Sequence, residues 1–115
     1  MTIENKEWFD ICCIDDILHN MGRCALFNEQ QVAIFRVEDK DGQEQFYAVN
    51  NYCPFSESNT ISRGLTGSIA EQLVVASPIY KQHFDLSTGI CIEDENVSIK
   101  TYPVRLSGNT VQLAL

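Results

Sequence analysis

Cys53 stands in a polar stretch, residues 50–63, and the histidine that could work with it is His83, thirty residues further on. Two chemistries suit such a pair. A thiolate and an imidazole are both zinc ligands, but zinc takes three or four protein groups, so Asp85 or Glu57 would have to join. A thiol beside an imidazole base is also the start of a nucleophilic site, with Lys81 or His83 stabilising the thiolate. No motif spacing stands behind either arrangement. Cys53 and His83 are therefore expected to be surface residues near a loop, with no metal site and no catalytic residue on this chain. The other cysteines, Cys12, Cys13, Cys24 and Cys91, bring the total to an odd five in irregular positions. That pattern is neither a disulfide framework nor a C-x-x-C site, so free thiols in a reducing compartment are expected. His19 reads as a solvent-facing or capping residue. Arg63 is expected to pair with one of the chain's own carboxylates, because acids outnumber bases 16 to 8.

The elements that must position these groups are short strands. Residues 8–12 have β-rich composition, and residues 14–18 form a single helical turn that Asp15 is placed to cap. Residues 24–27 and 32–37 are apolar at nearly every position, as strands covered on both faces are, with residues 28–31 as a hairpin loop between them. Asp41-Gly42 signals a second hairpin leading into residues 46–49. The strand pattern then disappears over residues 50–63, a long loop of the kind that carries function or an interaction surface. Short strands follow at residues 64–69 and 73–76. The latter stops at Ser77-Pro78-Ile79-Tyr80-Lys81-Gln82-His83, and Phe84-Asp85-Leu86 runs into a Thr88-Gly89 turn. Residues 90–92 read as a brief strand, residues 93–96 as a solvated acidic turn, and residues 97–102 and 111–115 alternate with period two. Gly108-Asn109 joins the last two strands. Many short strands with close turn signals make an all-β antiparallel sandwich or barrel.

A chain of 115 residues with 44% hydrophobic residues is expected to form one domain. A formal charge of −8 argues against nucleic-acid and anionic-membrane partners, both of which require clustered Lys and Arg. Met1 to Glu7 shows no leader pattern, and no run approaches membrane-spanning length, so a cytoplasmic location is expected.

The segment from Ser77 to Gly89 resembles the second cluster-binding loop of Rieske [2Fe–2S] domains, C-P-x-H-G-x-x-F-D-L-x-T-G, at Pro78, Phe84, Asp85, Leu86, Thr88 and Gly89. The first such loop, C-x-H, has its counterpart in Cys53-Pro54-Phe55. The ligands themselves depart from the pattern: Ser77 replaces Cys, Tyr80 and Phe55 replace His, and Lys81 replaces the following Gly. The resemblance thus implies a Rieske-type fold, an antiparallel β scaffold with a small loop subdomain. It also implies a degenerate ligand set, Cys53, Phe55, Ser77 and Tyr80, that cannot supply the two thiolates and two imidazoles of the cluster. No cofactor is then expected on this chain. The rings of Phe55 and Tyr80 are expected to fill the vacated space, and Ser77 to bond the backbone of the facing loop.

Residues 8–16 (W-F-D-I-C-C-I-D-D), 31–36 (Q-V-A-I-F-R), 51–55, 61–65 (I-S-R-G-L), 76–85 (A-S-P-I-Y-K-Q-H-F-D) and 102–105 (Y-P-V-R) are together similar to one ligand-less branch. That branch is the small subunit of assimilatory NAD(P)H-dependent nitrite reductase, with residues 1–115 as one Rieske-like domain. Cys53 departs from it, since the branch usually carries Asp there. The resemblance implies a non-redox subunit that docks to and supports a large subunit holding FAD, a [4Fe–4S] cluster and sirohaem, in the reduction of nitrite to ammonium. The alternatives are a Rieske-type ferredoxin-like electron carrier, and a stand-alone interaction domain that uses residues 50–63.

Overall fold

The computed structural model describes residues 7–115. Residues 1–6, on which most of the leader reading falls, lie outside the described residues. The strands are β1 (Phe9–Cys13), β2 (Met21–Phe27), β3 (Gln30–Glu38), β4 (Glu44–Asn50), β5 (Tyr52–Cys53), β6 (Ser58–Asn59), β7 (Leu65–Ile69), β8 (Gln72–Ala76), β9 (His83–Asp85), β10 (Thr101–Tyr102), β11 (Val104–Ser107) and β12 (Thr110–Leu113). Every pairing among them is antiparallel, in the orders β1-β12-β11, β10-β4-β3-β2, β5-β6 and β7-β8-β9. The architecture is the all-β antiparallel one expected.

β3 is the strand with two covered faces. Its odd-numbered residues Ala33, Phe35 and Val37 enter one core with Val49, Cys53, Ile61, Val75, Phe84, Leu86 and Cys91. Its even-numbered residues Val32 and Ile34 enter the other with Ile17, Phe27, Ala48, Tyr102, Val111 and Leu113. A period-two pleat with apolar residues at both parities explains the uninterrupted run in the sequence. β2 was expected to be covered likewise and is not. It is the edge of its sheet, with Leu26 74% and Met21 51% exposed.

Local chemistry fixes the turns. The β2–β3 turn is tighter than the expected four-residue loop, because Phe27 pairs with Gln30 and only Asn28 and Glu29 turn, both at positive φ. Two left-handed residues match the right-handed strand twist. In the β3–β4 turn, Gly42 takes φ 77° and the Asp39 carboxylate accepts the N–H groups of Asp41 and Gln43, each at 2.9 Å. The turn after β1 is a 3-10 turn, Ile14–Asp16. The carboxylate of Asp16, rather than that of Asp15, accepts the Cys13 N–H at 2.9 Å. Arg36 holds this turn to the sheet, donating to the Ile17 carbonyl at 3.0 Å and to Glu44 at 2.7 Å. Residues 90–92 form isolated bridges rather than a strand, Phe84 with Cys91 and Ile90 with Ser98. The alternating segment 97–102 enters the ladder only at Thr101, although Ile99 is already buried.

Residues 50–63 are more ordered than a loop, holding the β5–β6 pair and a second 3-10 turn, Ile61–Arg63. Asn51, 2% exposed, anchors the stretch. Its side chain accepts the Ser62 N–H at 2.7 Å and donates to Gln31 at 3.1 Å, while its carbonyl accepts the Ile61 N–H at 3.0 Å. A Cβ on Gly64 would strike the Ala76 carbonyl and lie 2.7 Å from a Val75 methyl. Only glycine lets the end of this stretch lie against β8, one residue before Ser77.

Candidate functional site

The two loops singled out by the sequence lie side by side and share one backbone form. In the first, the Glu57 N–H donates to the Cys53 carbonyl at 2.8 Å, Glu57 is left-handed at φ 54°, and Ser58 pairs back with Cys53. In the second, the Lys81 N–H donates to the Ser77 carbonyl at 3.0 Å, Lys81 is left-handed at φ 65°, and the Ser77 N–H donates to the Gln82 carbonyl at 2.8 Å. Each is a five-residue turn closed on its first residue, with proline in second place. Lys81 keeps the left-handed conformation at the position where the resembled pattern has glycine.

Side chains join the turns at their first residues. Cys53, expected at the surface, is instead packed into the core: its thiol and the Ser77 hydroxyl are both 0% exposed and hydrogen-bonded at 3.3 Å, where either group can donate. Ser77 thus bonds the facing side chain rather than the backbone expected. Burial pushes the Cys53 thiol up, but hydrogen bonds from the Ser56 and Ser77 side chains and from the backbone of Ser56 and Phe55 outweigh it and leave its pKa below the ordinary thiol value. The hydrogen bonds thus offset the cost of burial at a sulfur that is shielded from any reagent.

The two aromatic positions diverge. Phe55 is half-buried and tilts over Phe84, their ring centroids 6.0 Å apart, so it fills space as expected. Tyr80 does the opposite, standing 59% exposed with Ile79 at 50% beside it. A phenol carries a hydroxyl that burial would leave in need of a partner, whereas a phenyl ring does not.

His83 does not face Cys53. Its Nδ1 is 2.7 Å from Glu93, whose other oxygen accepts the His83 N–H at 2.7 Å. The nucleophile–base and Cys–His metal pairings therefore have no geometry behind them. Among the described residues no group of three His, Cys, Asp or Glu side chains is placed to hold a metal ion. His19 is exposed and meets Glu44 at 2.8 Å. Arg63 is exposed and, among the described residues, makes no ion pair, so the expected internal pairing falls to Arg36 instead. All five cysteines are free.

Sequence reasoning missed Ser56, Asn51 and Glu93. Asn51 and Ser56 carry no motif, and their roles depend on neighbours brought by folding. Glu93 was hidden in an acidic turn. A cleft of about 910 Å³ lies elsewhere, between the β3–β4 turn and the β7–β8 hairpin. Several of its charged groups are paired within the chain. Lys40 meets Glu71 at 3.6 Å, and Asp85 accepts bonds from Gln72, Ser87 and Thr88 at 2.6 to 3.1 Å.

A model of the Rieske-like [2Fe–2S] domain family matches residues 7–114. The NADH nitrite reductase small subunit of Escherichia coli K12 is 50% identical over 108 residues, covering 94% of this chain and 97% of that protein. The solution structure of the E. coli protein NirD matches with a TM-score of 0.85 at 47% identity, over 96% of this chain and 98% of that one. A nitrite reductase [NAD(P)H] large subunit from Klebsiella oxytoca is 34% identical over 110 residues, which are 96% of this chain and 11% of that subunit.

A cluster of the Rieske type needs two thiolates on one iron and two imidazoles on the other. The two turns bring one thiol, one alcohol and two carbocyclic rings, one of them directed into solvent. That donor set does not fit the group. With its antiparallel scaffold, its paired five-residue turns and half of its residues shared with an enterobacterial relative, the chain belongs to the Rieske-like [2Fe–2S] domain family and, within it, to the nitrite reductase small subunits.

Proposed function

We propose that this chain, residues 1–115 acting as one Rieske-like domain, is a non-redox subunit of a cytoplasmic NAD(P)H nitrite reductase, docking to and supporting the large subunit. Nitrite reduction to ammonium, with FAD, a [4Fe–4S] cluster and sirohaem, belongs to that partner. The observation that carries the reading is the contact between Cys53 and Ser77. Where the family's cluster would draw two sulfurs onto one iron, a thiol and an alcohol bond each other instead, and the pocket is closed by its own side chains. The positions of Cys53, Phe55 and Ser77 are then structural, Tyr80 is left at the surface, and the chain acts through that surface. The Klebsiella relative supports the partner, since there a similar segment lies within the large-subunit chain itself.

Reconstitution tests it. Purified large subunit is assayed for nitrite-dependent NADH or NADPH oxidation with and without this chain. The expected result is a saturable gain in activity or in the lifetime of the active enzyme. Unchanged rate and lifetime at saturating chain would contradict the reading.

A further inference from the structure

The two turns end in a surface unlike the rest of the molecule. Pro54, Ile79 and Tyr80 are exposed there around the half-buried ring of Phe55. No carboxylate occurs from Asn50 to Ser56 or from Gln72 to Phe84, in a chain of formal charge −8. Within these two segments the one fixed charge is the cation of Lys81, and a second cation, Lys100, lines a cleft with Tyr52 and Pro54. Glu57 follows at the end of the first turn, and Glu93 is engaged by His83. Other exposed apolar residues lie on strands away from the turns, among them Met21 and Leu26 on β2, Leu65 on β7 and Leu106 on β11. Charge depletion at the centre, an aromatic residue and a polar border are the marks of an interface core. The turns are also held in one arrangement by the buried Cys53–Ser77 bond, so little ordering remains to oppose binding.

We infer that this tip, with Ile79 and Tyr80 as its anchors, is the face that docks on the nitrite reductase large subunit. The inference rests on the docking reading above. The complementary surface is an apolar socket bearing a carboxylate for Lys81. Elsewhere on the chain the acid excess repels such a surface, which gives the complex a single orientation. The vacated cluster site then serves as a rigid support for a contact rather than as a place for electrons.

Binding of the full-length chain to purified large subunit, measured by calorimetry, tests this. Ile79→Glu and Tyr80→Glu are expected to weaken binding by about 30-fold or more, the scale of an interface anchor. Leu26→Glu and Leu106→Glu are expected to stay within about threefold of the native chain. If a glutamate variant loses its native Tm, Ile79→Ser and Tyr80→Ser replace it, with the same expected direction. Native-like binding by the turn variants, or loss confined to Leu26 or Leu106 variants, overturns the placement and leaves the docking reading standing. A native chain that does not bind overturns both.

Discussion

The turn from Cys53 to Ser58 and the turn from Ser77 to Gln82 have the same closing hydrogen bond and the same left-handed fifth residue, yet they relate to the core in opposite ways. The first is built inward, with Asn51 beneath it, Cys53 buried and Phe55 leaning on Phe84. The second buries Ser77 and then projects Ile79, Tyr80 and Lys81 into solvent. Backbone form therefore does not decide what a turn does. In this protein the first turn supports and the second presents.

Substitutions can break that contrast, beginning with the largest effect. Asn51→Ala removes side-chain bonds to Ser62 and Gln31 from a buried position and is expected to destabilise the chain by about 2–4 kcal/mol, read from the urea midpoint. Phe55→Ala, at a half-buried ring, is expected to cost roughly 2 kcal/mol, while Tyr80→Ala stays within about 0.5 kcal/mol. Equal losses at Phe55 and Tyr80 would erase the difference between the turns.

Acid should act on the segment that follows the second turn. Burial raises the Asp85 carboxyl, but hydrogen bonds from Ser87, Thr88 and Gln72 outweigh it and hold the pKa below the usual carboxylate range. Its folded pKa is thus depressed, so the stabilisation is complete above the unfolded value of about 3.9 and is lost as pH falls through the lower folded one. Asp85→Asn is expected to cost about 1–2 kcal/mol near neutral pH, with the gap to the native chain narrowing below about pH 4. A gap independent of pH would show that packing, not charge, holds this position.

The smallest effect sharpens the backbone comparison. Glu57 and Lys81 are both L residues in a conformation that favours glycine. Glu57→Gly and Lys81→Gly are each expected to stabilise by about 0.5–1 kcal/mol in Tm-based comparison, and by similar amounts if the turns are true backbone equivalents.

What the sequence disclosed was local. Asp41-Gly42 and Gly108-Asn109 mark their hairpins because turn chemistry is held in two or three residues, and both sit where the structure has turns. The run through β3 shows its double burial because both parities are apolar. β2 misled for the opposite reason: Cys24, Ala25, Leu26 and Phe27 look just as apolar, but an edge position is a property of the sheet and leaves no trace in the strand. The four positions at the turns were legible as a set by resemblance to a pattern. Their arrangement was not, since the inward Phe55, the outward Tyr80 and the Cys53–Ser77 bond are settled by neighbours from distant strands. Ser56, which helps hold the Cys53 sulfur, had no signal of its own.

The central claim is that a cluster-binding framework persists here without the donors for a cluster. Iron and acid-labile sulfide in the full-length chain, isolated anaerobically from cells competent in cluster assembly and read beside its visible spectrum, test it directly. The expected result is no stoichiometric iron and no visible absorption bands; about two irons per chain with matching sulfide would contradict it.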